Sequence, residues 1–189
     1  MKRVWAESLG SISPLYAHPK FVPSSIRGQF TAVTLIPILD PAARPEGPYG
    51  LFLDPHTGIP LPQESVIRTT TSHASLQFIV QVNDSLGPAY MICFDQSYHR
   101  RHKLTVAEQR ARKRSLLQEH GISSFYYVSH APFLFMAQKT ATLADVGRRL
   151  LAMGIPRERF EPENAPLDPL NLGLQPTDCG CGRGRSLDI

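Results

Sequence analysis

The chain holds no apolar stretch near the roughly 20 residues that a membrane-spanning helix requires, so no such helix is expected. Met1-Lys2-Arg3 is basic, but Val4-Trp5-Ala6 gives way to Glu7 and leaves no signal-peptide core. Cysteine is scarce: one of the three lies in a strand-like run and two in a Gly-rich end, which is too few for a disulfide framework. A cytoplasmic, reducing setting is the expectation. A Walker-type phosphate loop is missing as well. For zinc, His99-x-x-His102 has no matching Cys or His pair nearby, and Cys179-x-Cys181 is too tight for a standard knuckle. Ser129-His130 and Ser72-His73 lack the Gly-rich elbow of a serine nucleophile.

Proline, in contrast, is abundant: 17 in 189 residues is nearly twice the usual share of about 5% and points to long irregular connections. Six prolines fall between Pro41 and Pro62. Basic charge is concentrated too. The fifteen residues from Arg100 to Arg114 carry seven of the twenty lysines and arginines and a single acid, Glu108. A one-signed run of this kind is either a solvated helix face or a surface for a polyanion. The net charge of +4 and the polar residues just before the run favour nucleic acid, DNA first, as partner. The contacts would come from Arg100, Arg101, Lys103, Arg110, Arg112, Lys113 and Arg114.

Local patterns give an order of elements. Gln29 to Leu39 is β-branched and apolar and predicts a strand. Gly50–Leu53 and Ile59–Leu61 predict a small hairpin around Asp54-Pro55-His56-Thr57-Gly58, with Pro60 confining it to a sheet edge. Leu76 to Val82 alternates apolar and polar, and with Pro88 to Phe94 predicts an antiparallel hairpin turning at 83–87. Thr105 and Glu108 form a capping box for a helix that runs to His120 and stops at Gly121. Its apolar stripe, Ala107, Ala111, Leu116 and Leu117, is thin. Ser124 to Ser129 predicts a strand, and Thr142 caps a last helix to Met153. Before these, Pro14, Pro19 and Pro23 limit residues 1–28 to a short helix such as Ser24 to Arg27. The aromatics Phe125-Tyr126-Tyr127 and Phe133-Leu134-Phe135 fit a core at strand spacing, or a platform for stacked bases. The expected fold is therefore α/β: a small mixed sheet with an antiparallel hairpin, flanked by helices, in one domain over 1–155. Residues 156–189, rich in Pro, Asn and Gly, are expected to form a flexible, disordered tail, whose Arg183 and Arg185 could brush nucleic acid.

Asp95, Ser97 and His99 share a face if their strand continues, because side chains repeat every two residues. Such a row could hold a metal, orient a water or bind a phosphate. A metal site wants a second acid from the neighbouring strand, which offers only Gln77 and Gln81.

The segment from about 76 to 130 resembles the restriction-endonuclease-like PD-(D/E)XK superfamily. Within it, a bacterial branch has Asp-Phe on one strand, E-L-D-D-S-S-H on the next, a basic helix, and Gly-Ile before a further strand. Gln77-Phe78, Cys93-Phe94-Asp95-Gln96-Ser97-Tyr98-His99, the Arg/Lys helix and Gly121-Ile122 stand at these places, giving a nuclease-like core over about 76–153. The resemblance implies a mobile-element or DNA-processing role. The family's metal-binding carboxylates fall on Gln77 and Cys93, which implies a degenerate catalytic site, with Asp95 left as the metal ligand. If activity survives, it implies a Mg²⁺-dependent phosphodiesterase or nucleotide hydrolase using Asp95, Ser97 and His99. A weaker similarity is to the ParB/sulfiredoxin-like fold, where a strand ending in Asp leads to a G-x-x-R phosphate turn. Ser97-Tyr98-His99-Arg100 stands there with Ser for Gly, and plasmid fertility-inhibition proteins of that fold are similar in size and basicity. A protein-binding module using the Pro-rich stretch 41–62 is the remaining alternative.

Overall fold

Six strands hydrogen-bond into one mixed sheet in the computed structural model, which describes residues 2–62, 70–98 and 103–162. In chain order they are β1 (Leu15–Ala17), β2 (Gly50–Leu53), β3 (Tyr90–Phe94), β4 (Ser123–Tyr127), β5 (Phe133–Ala137) and β6 (Phe160–Glu161). Across the sheet the order is β1-β2-β3-β5-β4-β6. β1, β2 and β3 run parallel, β5 is antiparallel to β3 and to β4, and β6 is antiparallel to β4. Side chains alternate between two cores, as the pleat requires. Phe52, Tyr90, Ile92, Phe125, Phe133 and Phe135 face one side, and Leu51, Leu53, Met91, Cys93, Tyr126, Leu134 and Met136 face the other.

Helices cover both faces. On the first, α1 (Lys2–Leu9) buries Trp5 and Leu9, α2 (Arg27–Thr34) adds Phe30, and α5 (Thr140–Ala152) inserts Leu143, Val146 and Leu150. On the second, α3 (Leu76–Leu86) buries Leu76, Ile79 and Val82, and α4 (Val106–Gln118) buries Leu117. The expected α/β class is what forms. None of the described helices is long and apolar enough to cross a membrane.

Several expected elements are corrected. Gln29–Leu39 is not a strand: α2 ends at Leu35, which takes a left-handed conformation (φ 59°), and only Ile38 then bridges to Ala17. Thr34 closes that end, accepting from the Ile36 amide at 3.2 Å and donating to the Phe30 carbonyl at 2.7 Å. Leu76–Val82 is helical, capped by the Ser75 hydroxyl, which accepts from the Phe78 amide at 3.1 Å, and closed by Gly87. The sheet's antiparallel hairpin is β4–β5 instead. β2 is not half of an edge hairpin, since it lies between β1 and β3 and is buried throughout. Within the Pro-rich stretch 41–62, Gly50–Leu53 is therefore interior, while residues 41–44 and 46–48 are exposed. The helix expected over Ser24–Arg27 is a 3₁₀ turn, Ser24–Ile26, running straight into α2. The last helix starts at Thr140, two residues before its expected cap. α1, β1, β5 and β6 were not anticipated, and Phe160 of β6 is fully buried in the first core, so the folded unit extends beyond 155. Residues 163–189, with the rest of the expected tail, lie outside the described residues.

Candidate functional site

The three parallel strands deliver His18, Asp54 and Asp95 to one end of the sheet, each just past a strand's carboxyl terminus. From β1 the chain steps outward, through α2 on the first face, to the bridge at Ile38. From β2 it steps the other way, through α3 on the second face, to β3. Connections that diverge like this leave a crevice outside the carboxyl ends, where open α/β sheets bind ligands. A cleft of about 450 Å³ opens at this end, lined by Lys2, Asp54, Pro55, His56, Phe94, Ala131 and Phe133. Lys2 Nζ donates to Asp54 Oδ2 and lies 5.6 Å from the Phe30 ring centroid and 5.9 Å from that of Phe52.

Asp95 is on the opposite face from Asp54 and is not a surface acid. It is 3% exposed. Its Oδ1 accepts from the Ile59 amide at 2.8 Å and the Ser97 amide at 3.1 Å. Its Oδ2 accepts from Lys113 Nζ at 2.8 Å and the Tyr126 hydroxyl at 2.7 Å. A carboxylate offers about four lone-pair positions, so these four donors fill it. Gly58 passes so close that an added Cβ would fall 2.4 Å from Asp95 Oδ1, and its φ of +113° is itself one that side chains avoid. Burial pulls the Lys113 ammonium below its ordinary pKa, against the opposing effect of the Asp95 carboxylate. Burial first, then the same carboxylate, pushes the Tyr126 hydroxyl and the Cys93 thiol up. The group is a satisfied internal network that ties β3, α4, β4 and the loop at 58–59 together. To ligate a metal or take a proton, Asp95 would have to shed donors it already holds.

Among the described residues, the cations of the basic run are dispersed rather than presented as one surface. Lys113 is buried and faces Asp95 and the Ser97 carbonyl, which it reaches at 2.5 Å, so its assignment to a nucleic-acid surface is corrected. Arg110 is mostly buried, paired with Glu161 at 3.0 Å, and lies 5.7 Å from the Tyr126 ring centroid. Arg114 is half-buried and donates to the Ser124 carbonyl at 3.2 Å. Arg112 is exposed, 3.9 Å from Glu119, and Lys103 is exposed. Ser97 is half-buried, and Tyr98 beside it is 44% exposed. His99, Arg100 and Arg101 lie outside the described residues. The aromatics of β4 and β5 are core.

Gln77, matched to a metal-binding strand position, lies on α3, so the hairpin that carried the nuclease resemblance is replaced by a helix. Among the described residues no group of three or more His, Cys, Asp or Glu side chains converges on a point that could hold a metal. The residues that sequence reasoning passed over are Lys2, Asp54 and His56. Asp54-Pro55-His56 follows a four-residue apolar run, a pattern that marks a strand's carboxyl end once the strand is placed inside a parallel sheet. No family model, no curated protein and no solved structure matches this chain.

Proposed function

We propose that the protein binds nucleic acid along the rim that follows the carboxyl end of β3. The observation that carries this is an exposed aromatic, Tyr98, leading directly into His99-Arg100-Arg101-His102-Lys103 in a chain of net charge +4. Lys103 and Arg112 are the exposed cations of the original run among the described residues. Phosphate contacts from these cations supply affinity, and Tyr98 offers a face on which an unpaired base can stack. The footprint is smaller than seven cations, because Lys113, Arg110 and Arg114 are held by partners inside the fold. The role is that of a binder, since Asp95 is engaged on both oxygens.

Fluorescence anisotropy with labelled single- and double-stranded DNA and RNA, at about 50 and 200 mM salt, tests this. The expected result is binding that weakens steeply with salt. It should fall at least about tenfold in the Lys103→Glu/Arg112→Glu variant and less in Tyr98→Ala. No binding at the lower salt, or variants that bind like the parent, sinks the proposal.

A further inference from the structure

The cleft outside the carboxyl ends of β2 and β3 has features that neither the core nor the proposed rim uses. Its walls are carbon: Phe133, 2% exposed, and Phe94, half-buried, with ring centroids 5.7 Å apart and planes at 62°. Against them stand three polar groups of different kinds, the Lys2 ammonium, the Asp54 carboxylate and the His56 imidazole. Lys2 and Asp54 are in contact, with side chains 36% and 18% exposed, so a donor and an acceptor sit side by side at the opening. Their charges cancel, which disfavours a ligand recognised by phosphate alone. Such an edge fits a ring that itself carries a donor next to an acceptor.

The loop that holds His56 is fixed in place. The His56 amide donates to the Thr71 carbonyl at 3.3 Å, and the Thr57 amide to the Ser72 carbonyl at 2.9 Å. The Thr57 hydroxyl donates to the same Ser72 carbonyl at 2.6 Å, and the Gln96 amide donates back to the Thr57 carbonyl at 2.9 Å. The loop is thereby tied to the end of β3. A backbone held in advance loses little freedom when a ligand arrives. A volume of about 450 Å³ falls within the range of small-ligand sites. It lies at the carboxyl end of the parallel strands, the end of the sheet at which open α/β folds receive ligands.

We infer that this cleft binds a planar nitrogen heterocycle bearing adjacent hydrogen-bond donor and acceptor groups, a nucleobase in chemical class. The ring packs on Phe94, which Phe133 backs from within the core, and its polar edge meets Lys2, Asp54 and His56. The inference stands apart from the rim: it concerns a base, free or within a strand, and not the phosphate contacts of Lys103 and Arg112.

The probes are the adenosine, guanosine, cytidine and uridine 5′-monophosphates, with ribose 5-phosphate as the ring-free control, titrated into the full chain by calorimetry. Trp5, the only tryptophan, has its ring centroid 5.8 Å from that of Phe133 and gives an independent fluorescence readout. At least one monophosphate should bind one to one with Kd below about 1 mM, while ribose 5-phosphate does not bind. Asp54→Asn and His56→Ala should each weaken it about tenfold or more, and Ala131→Leu, which fills the cleft without touching a charge, should do the same. Competition of that monophosphate with an oligonucleotide shows that a base within a strand reaches the cleft; binding without competition assigns the cleft to free nucleotides. Should none of the four monophosphates bind, even where an oligonucleotide does, the inference is overturned. Binding that ignores all three substitutions overturns it equally.

Discussion

His18 occupies the first position past β1 and does three jobs with one ring and one amide. Its amide donates to the Phe52 carbonyl at 2.9 Å, holding β1 to β2. Its Nδ1 accepts from the Lys20 amide at 3.1 Å, capping the 3₁₀ turn Pro19–Phe21. The ring lies against Phe21 and Phe78, with centroids 5.8 and 5.3 Å away. Burial, and secondarily the Lys20 ammonium, lower its pKa from 6.5 to about 4. Only neutral imidazole has a lone pair for the cap, so protonation replaces an acceptor with a donor facing an N–H. The sign of the pH effect follows. Above pH 6.5 the stabilisation is complete. Between 6.5 and about 4 the unfolded chain takes up a proton that the folded chain refuses, and stability falls. From pH 8 to pH 5 the loss from this group is at most about 2 kcal/mol. His18→Asn keeps a capping oxygen and removes the titration, so urea unfolding at both pH values should show a smaller loss in the variant. Equal losses in both proteins would mean the ring is not held neutral.

At the scale of the element, α4 separates what local chemistry reveals from what it hides. Thr105, Glu108 and Gly121 announce its start and stop from sequence, and the capping box forms with both hydrogen bonds, because caps are satisfied within a few residues. Of the buried face only Leu117 was legible. Gln109, Lys113 and Leu117 lie at i, i+4 and i+8, but two of the three are polar, so hydropathy pointed to Ala107 and Ala111 on exposed turns. The carboxylate that makes Lys113 an interior residue is 18 positions away and meets it only after the sheet has formed. Asp95 could be recognised as unusual, but its role as a structural tie could not. α3 failed differently: Leu76-Gln77-Phe78 and Val80-Gln81-Val82 alternate like a strand, while Leu76, Ile79 and Val82 also satisfy helical spacing, and Ser75 and Gly87 decide between them. The pair in α4 can be measured. Lys113→Met should cost about 3–5 kcal/mol, because it leaves a buried carboxylate without its counter-charge. Asp95→Asn should be similarly severe, yet the double variant should cost less than the sum by about 2 kcal/mol. Denaturant unfolding of all four proteins gives the coupling. Additive losses would mean that Asp95 and Lys113 do not stabilise each other across the core.

For the molecule as a whole, the open question is where its folded unit stops, and composition misplaces the answer. The Pro- and Asn-rich stretch after Met153 reads as a tail because its breakers are dense and its apolar residues few. One of those few, Phe160, is nonetheless fully buried, with its ring centroid 5.5 Å from that of Phe125 and 6.4 Å from that of Tyr127. β6 pairs Phe160 with Tyr127 and Glu161 with Tyr126, and the Val128 amide donates to the Arg159 carbonyl at 2.7 Å. Two strand residues thus cover the edge of β4, which would otherwise leave a row of unpaired backbone groups open to other chains. Glu161 also neutralises Arg110 on α4, so the segment fastens a helix as well as a strand. A domain of this size has a net stability of roughly 5–15 kcal/mol, and removing a buried Phe side chain alone costs about 3–5 kcal/mol. A chain ending at residue 155 should therefore melt about 10 °C or more below one ending at 162, and Phe160→Ala in the full chain should reproduce most of that drop. The shorter chain should also self-associate in sedimentation velocity, because it exposes the β4 edge and the apolar surface that Phe160 covered. If the two truncations melt together and both remain monodisperse, β6 contributes nothing to the core and the sheet closes at β4.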